Sequence, residues 1–81
     1  MRSVDLTQLR EDEFGVVVRI EGGFGLTRRL ECLGVRVGKK VTKVSSQLMR
    51  GPITIRIDNS QIAIGFGMAR KIILQVEKKK E

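Results

Sequence analysis

The sequence predicts a mainly β fold: one small, strongly bent barrel of about five short strands, with a short helix after the first strand and a single helical turn before the last. Three observations predict it. Ile53, Ile55 and Ile57 alternate with Thr54, Arg56 and Asp58, the period-two pattern of a strand with one apolar and one wet face. Glycine punctuates the chain at short intervals, at Gly15, Gly22-Gly23, Gly34, Gly38, Gly51, Gly65 and Gly67. And 81 residues allow one domain with a modest core, for which a closed sheet removes edges that would otherwise pair with other chains.

The elements follow in order. Leu6 and Leu9 flank Thr7-Gln8 ahead of an acidic turn at Glu11-Asp12-Glu13. Phe14 to Ile20 is valine-rich and reads as the first strand, ended by a Gly22-Gly23 turn. Leu26, Leu30 and Leu33 share one helical face, and Gly34 stands where a left-handed cap is expected, which predicts a helix over 25–33 docked by its leucines. Lys40 to Leu48 reads as a strand with Val41 and Val44 as apolar points. Arg50-Gly51-Pro52 is a turn, Ile53 to Asp58 a strand, and Asp58-Asn59-Ser60 a hairpin turn into Gln61–Ile64. Met68 to Lys71 holds one helical turn, and Ile72, Leu74 and Val76 mark the last strand. The expected domain is 1–81, with a core over 5–77 and a frayed basic tail over 78–81.

The net charge is +7, and it is unevenly placed. Residues 19–71 hold eleven Lys and Arg against Glu21, Glu31 and Asp58. Such a surface favours an anionic partner: nucleic acid, an acidic protein face or anionic headgroups. Arg28 and Arg29 lie opposite the leucine stripe, Lys39, Lys40 and Arg50 sit at turns, and Met49 is an exposed apolar point at a loop tip. Together they are the candidate partner-binding residues; the competing reading is ordinary solubilising charge. Single-strand binders also need aromatic platforms, and Phe14, Phe24 and Phe66 are the only rings, with Phe14 assigned to a core strand. Nucleic acid is therefore disfavoured.

Catalytic and metal chemistry find little support. Glu11-Asp12-Glu13 has no histidine or lysine beside it in sequence and reads as a solvated turn. Gly22-Gly23-Phe24-Gly25 precedes a helix but lacks the Gly-Lys-Ser/Thr ending of a phosphate loop. Cys32, the only cysteine, is expected as a small buried apolar residue. With no histidine, no intrachain site for Fe(II) or Zn(II) is evident, and a site shared between subunits is the remaining route. No cofactor and no enzymatic activity are expected. No signal peptide is recognisable behind Met1-Arg2-Ser3-Val4-Asp5, and no stretch is long and apolar enough to span a membrane, so a soluble cytoplasmic protein is expected.

From Leu9 to Val76 the chain resembles the FeoA family. The resemblance is carried by Gly15-Val16-Val17 before Ile20 and Gly22-Gly23, by Arg29-Leu30-Glu31-Cys32-Leu33-Gly34-Val35-Arg36-Val37-Gly38, by Gly51-Pro52-Ile53, by Ile62-Ala63-Ile64, and by Ala69 and Ile72 continuing to Leu74 and Val76. It implies an SH3-like barrel with a helix inserted after the first strand. It also implies an accessory or regulatory role in ferrous iron transport, exerted by contact with FeoB. That membrane protein moves Fe(II) and carries a cytosolic nucleotide-binding domain, and the contact would place the chain at the inner face of the membrane. A similar domain ends some metal-dependent repressors, and a chain without a DNA-binding helical domain is expected to stand outside that context. A nucleic-acid-binding barrel and a free transition-metal sensor are the alternatives; a homo-oligomer is compatible with all three.

Overall fold

The computed structural model describes residues 2–46 and 49–76. Six antiparallel strands form one sheet: β1 (Arg2–Asp5), β2 (Phe14–Ile20), β3 (Lys40–Ser46), β4 (Ile53–Ile57), β5 (Ser60–Ile64) and β6 (Ile72–Val76), in the order β1-β6-β2-β3-β4-β5. Two helices interrupt them, α1 (Gly23–Cys32) and the single turn α2 (Phe66–Ala69). The inward residues of β2, β3, β4, β5 and β6 meet in one core, Val17, Val41, Ile53, Ile55, Ile57, Ile64, Ile72, Leu74 and Val76, so the sheet curls around its own apolar face. The curl is an open one: β1 and β5 are the ends of the ladder and are not paired with each other.

The strand count is the first correction. Arg2–Asp5 pairs with β6 from Arg2 opposite Val76 to Asp5 opposite Ile73, so α1 follows the second strand and not the first. Four residues with one apolar member carry no alternation to read; β1 exists because β6 offers it an edge. Asp5 then caps a 3₁₀ turn at Leu6–Gln8: the Thr7 N–H donates to Asp5 Oδ1 at 2.8 Å and the Asp5 N–H donates to Gln8 Oε1 at 2.9 Å. The turn buries both Leu6 and Leu9 in the core.

β2 matches its expected span, but its faces are assigned differently. Gly15 and Val17 point inward, whereas Phe14, at 47% exposure, begins the strand facing solvent. β2 pairs with β3 over Phe14–Val16 and with β6 over Val16–Ile20, changing neighbours at Val16. Space is tightest beside that change. A Cβ on Gly15 would lie 2.9 Å from the Gln75 carbonyl oxygen and 3.1 Å from side-chain atoms of Leu74 and Val76.

α1 ends as expected. Gly34 takes φ +95, its N–H donates to the Glu31 carbonyl at 3.0 Å, and the Val35 N–H donates to the Leu30 carbonyl at 2.9 Å. Leu30 and Val35, the two residues this closure brings together, are both fully buried. The leucine stripe is narrower than expected: Leu26 packs on the core, but Leu33 is the residue that ends the helix and is 43% exposed. Cys32 corrects the sequence reading too, because it is exposed. Helical residues turn about 100° each, so with Leu30 inward, a residue two positions on faces outward.

β3 holds the least expected core residue. Val41 and Lys43 are inward, Lys43 at 5% exposure, whereas Val44, expected as an apolar point, is half-buried and stands outside the core cluster; a bulge lies between Lys43 and Ser45. Lys43 is stitched to the chain before β2 by three bonds. Its Nζ donates to the Leu9 carbonyl at 2.7 Å, its N–H donates to the Glu13 carbonyl at 3.0 Å, and its carbonyl accepts from the Asp12 N–H at 2.8 Å. Residues 47 and 48 of the expected strand, and the tail from 77 on, lie outside the described residues.

Three outcomes are expected. Gly15→Ala loses about 1–3 kcal/mol in denaturant titrations through overpacking, while Gly67→Ala, in open space within α2, loses nothing; equal effects would remove the close approach as a constraint. Lys43→Met orphans the Leu9 carbonyl, about 1–3 kcal/mol, but frees a charge from burial, so its net shift stays within about 1 kcal/mol. Lys43→Ala removes the packed stem as well and loses about 2–5 kcal/mol; a Met variant as weak as the Ala variant would show that the ammonium does the holding. Finally, the Glu13 carboxylate accepts from the Arg10 N–H at 2.9 Å and from Arg2 at 2.9 Å, which holds its pKa below the usual carboxylate range, the backbone bond most, against a smaller opposing effect of burial. Its stabilisation is present above the unfolded-state value and lost as pH falls through the lower folded value. The stability gap between wild type and Glu13→Gln is therefore expected to be widest near neutrality and to close under acid; a gap that persists below the folded value would overturn this.

Candidate protein-docking surface

The cationic residues singled out from the sequence occupy three places. Arg28 and Arg29 project from α1, both exposed, and neither has an ion-pair partner among the described residues. Lys39 and Lys40 stand at the start of β3. Lys39 is engaged, its Nζ 3.0 Å from Asp58 at the β4–β5 turn, and Lys40 Nζ lies 4.3 Å from the centre of the Phe14 ring. Met49 and Arg50 form the tip between β3 and β4, both in left-handed conformations, with φ of +64 and +62. Met49 is 95% exposed and Arg50 lies 5.8 Å from the centre of the Phe66 ring. β3 separates Lys40 from that tip by about 20 Å at the usual rise per residue. The structure thus brings Lys39 to Lys40 and Met49 to Arg50, and places the two pairs at opposite ends of one strand.

The helix carries the more developed surface. Phe24, 77% exposed, has the Arg28 guanidinium 5.8 Å from its ring centre, one helical turn on. Leu33 and Val37 are exposed at the helix end and in the connection to β3, with exposed Arg36 between them. Arg28, Arg29 and Arg36 face solvent here against Glu31 alone. Phe24 is unassigned in the sequence reading, where it stands within the Gly22-Gly23-Phe24-Gly25 turn before the helix. Its signal was positional: Phe24 lies two residues before Leu26, so with Leu26 inward it must face away.

The remaining candidates resolve simply. Gly22 and Gly23 take φ of +115 and +90 and turn the chain into α1. Glu11 and Asp12 are exposed in a turn, and Glu13 is held by Arg2 and the Arg10 N–H. Among the described residues no three His, Cys, Asp or Glu side chains converge as a metal site would require, and no helix is long and apolar enough to cross a membrane.

Comparison with known proteins agrees with this architecture. The FeoA domain profile matches residues 4–76. A protein of Methanocaldococcus jannaschii with the provisional name Fe(2+) transport protein A is 36% identical over 66 residues, which span 82% of this chain and 78% of that one. The crystal structure of an iron uptake regulatory protein, FeoA, superposes with a TM-score of 0.84 at 28% identity, covering 93% of this chain and 97% of the other. Zinc-complexed FeoA from Stenotrophomonas maltophilia, described as a prokaryotic SH3 domain protein, superposes at 0.74 with 20% identity over 89% of each chain. A manganese-dependent transcriptional repressor shares the fold at 0.83 and 20% identity, with 93% of this chain matching 42% of the repressor. With its mainly β SH3-like fold, its profile match and its relative in Fe(2+) transport, this chain belongs to the FeoA domain family.

Proposed function

We propose that this chain is a non-enzymatic accessory of ferrous iron transport that works on the cytoplasmic side of the membrane by docking on a FeoB-type transporter. Membership of the FeoA family supports the role in iron transport. One observation carries the docking: α1 presents Phe24, Arg28 and Arg29 to solvent, the two arginines without an ion-pair partner among the described residues, while Leu26 and Leu30 face the core. An exposed ring beside arginines is the composition of an interface anchor, and the surrounding positive charge would orient the chain toward an acidic face of its partner. Fe(II) is the transporter's cargo here, and no step in this reading binds it to the chain.

A second reading has some support of its own. Phe14 and Phe24 are both exposed with a cation near each ring, which is more aromatic platform than the sequence suggested. The two readings separate in solution. Purified chain is expected to bind a detergent-solubilised FeoB-type transporter. Arg28→Glu with Arg29→Glu is expected to weaken binding roughly tenfold or more, and Phe24→Ala to weaken it as well, with unchanged melting in each case. Failure to recover the transporter, or full binding by the charge-reversed chain, would overturn the docking. Micromolar binding to RNA or DNA oligomers with a steep salt dependence would favour the second reading instead.

A further inference from the structure

The two ends of the sheet are built differently. β1 is four residues long, carries Arg2 in an ion pair with Glu13, and ends at Asp5, whose side chain caps the next turn. Shortness and charge of this kind keep sheet edges from pairing. β5, Ser60-Gln61-Ile62-Ala63-Ile64, has neither charge nor proline, and it pairs with β4 over all five residues without a bulge. Apart from its own shortness, none of the usual protections lies along it among the described residues.

The hairpin register says which main-chain groups are free. Ile57 and Ser60 close a two-residue loop in which Asp58 takes φ +55. A closing pair of this kind is hydrogen-bonded, and bonded pairs then alternate with unbonded ones. Ile55–Ile62 and Ile53–Ile64 are therefore bonded pairs, whereas Gln61 and Ala63 direct their N–H and C=O groups away from β4. Both residues are exposed.

The surroundings select the occupant. On the outer face Gln61 lies opposite Arg56, which is exposed and has no ion-pair partner among the described residues. Beyond Ile64, Arg50 stands over the Phe66 ring. The acid in the adjoining turn, Asp58, is held by Lys39. On the inner face Ile62 is half-buried and Ile64 buried. A strand added here would meet Arg56 on the outer face and the half-buried Ile62 on the inner one, and its side chains alternate between those faces. A second copy of the chain is the poorer fit, since two β5 strands joined edge to edge unite two bodies of charge +7 and put both Arg56 residues on one face.

We propose that β5 is a strand-addition site for an extended acidic segment of another protein, in which Gln61 and Ala63 supply the main-chain hydrogen bonds and Arg56 selects for acidic residues. The site stands apart from the α1 surface and does not depend on which protein α1 meets.

The test uses the full chain, labelled with nitrogen-15, and two blocked hexapeptides, one alternating valine with glutamate and one alternating valine with lysine. The glutamate peptide is expected to shift the Gln61 and Ala63 amide signals and to slow their hydrogen exchange. Arg56→Glu is expected to reverse the preference between the two peptides. Ala63→Pro removes an outward N–H while leaving the β4 ladder intact, and is expected to weaken binding roughly tenfold or more. Should the proline variant fail to fold, the exposed Arg56→Glu exchange still decides. No movement of the two amides at millimolar peptide, equal affinity for the lysine peptide, shifts confined to α1, or self-association by sedimentation that Ala63→Pro abolishes would each overturn the proposal. Charge reversal at Arg28 and Arg29 is expected to leave peptide binding unchanged, so this site and the α1 docking surface fail or stand separately.

Discussion

The constraint on which this small domain rests is the close approach at Gly15, where β2 passes between its two neighbours with no room for a side chain. Atoms of β6 from Leu74, Gln75 and Val76 fill the place a Cβ would take. One residue on, β2 gives up β3 and takes β6 as its continuing partner. Two further bonds keep β2 tied to the start of β3: the Val17 N–H donates to the Lys39 carbonyl at 2.9 Å, and the Gly38 N–H donates to the Val17 carbonyl at 2.8 Å. A sheet this short surrounds a core only if it turns sharply, and at Gly15 no side chain keeps the strands apart.

The curl decides what lies inside. The stretch from Leu6 to Glu13 covers one part of the core with Leu6 and Leu9, and Lys43 fastens it. A lysine whose stem is packed and whose ammonium meets a single main-chain carbonyl contributes mostly as an apolar side chain with one tether, because the charge itself is costly to strip of water. The same economy holds for α1. Leu26, Leu30 and the Gly34 closure hold it against the core, and most of its remaining circumference is exposed.

That division between what the core requires and what it leaves over shapes the functional reading. Arg2, Arg19 and Lys39 are engaged with acids of the same chain, whereas Arg28, Arg29 and Arg56 have no such partner among the described residues. Arg28 and Arg29 lie on α1 with the exposed Phe24, and Arg56 lies opposite Gln61 of the edge strand β5. Membership of the FeoA family gives the setting, ferrous iron transport, and these are the two surfaces we propose for partners.

The strands β2 to β6, the helix with its Gly34 cap, and the helical turn ahead of β6 were legible in the sequence, because alternation, helical spacing and glycine are local properties. The motifs from Gly15-Val16-Val17 to Ala69 and Ile72 were enough to indicate the family. What the chain could not announce locally was set by neighbours. β1 exists because β6 has an open edge; Lys43 is inside because a bulge and the Leu9 carbonyl await it; Phe14 and Cys32 are outside because the curl and the helix's rotation place them there. The same cause sorts the cations. Charge along a sequence records how many there are, but which of them keep their charge for another molecule depends on whether folding brings an acid within reach.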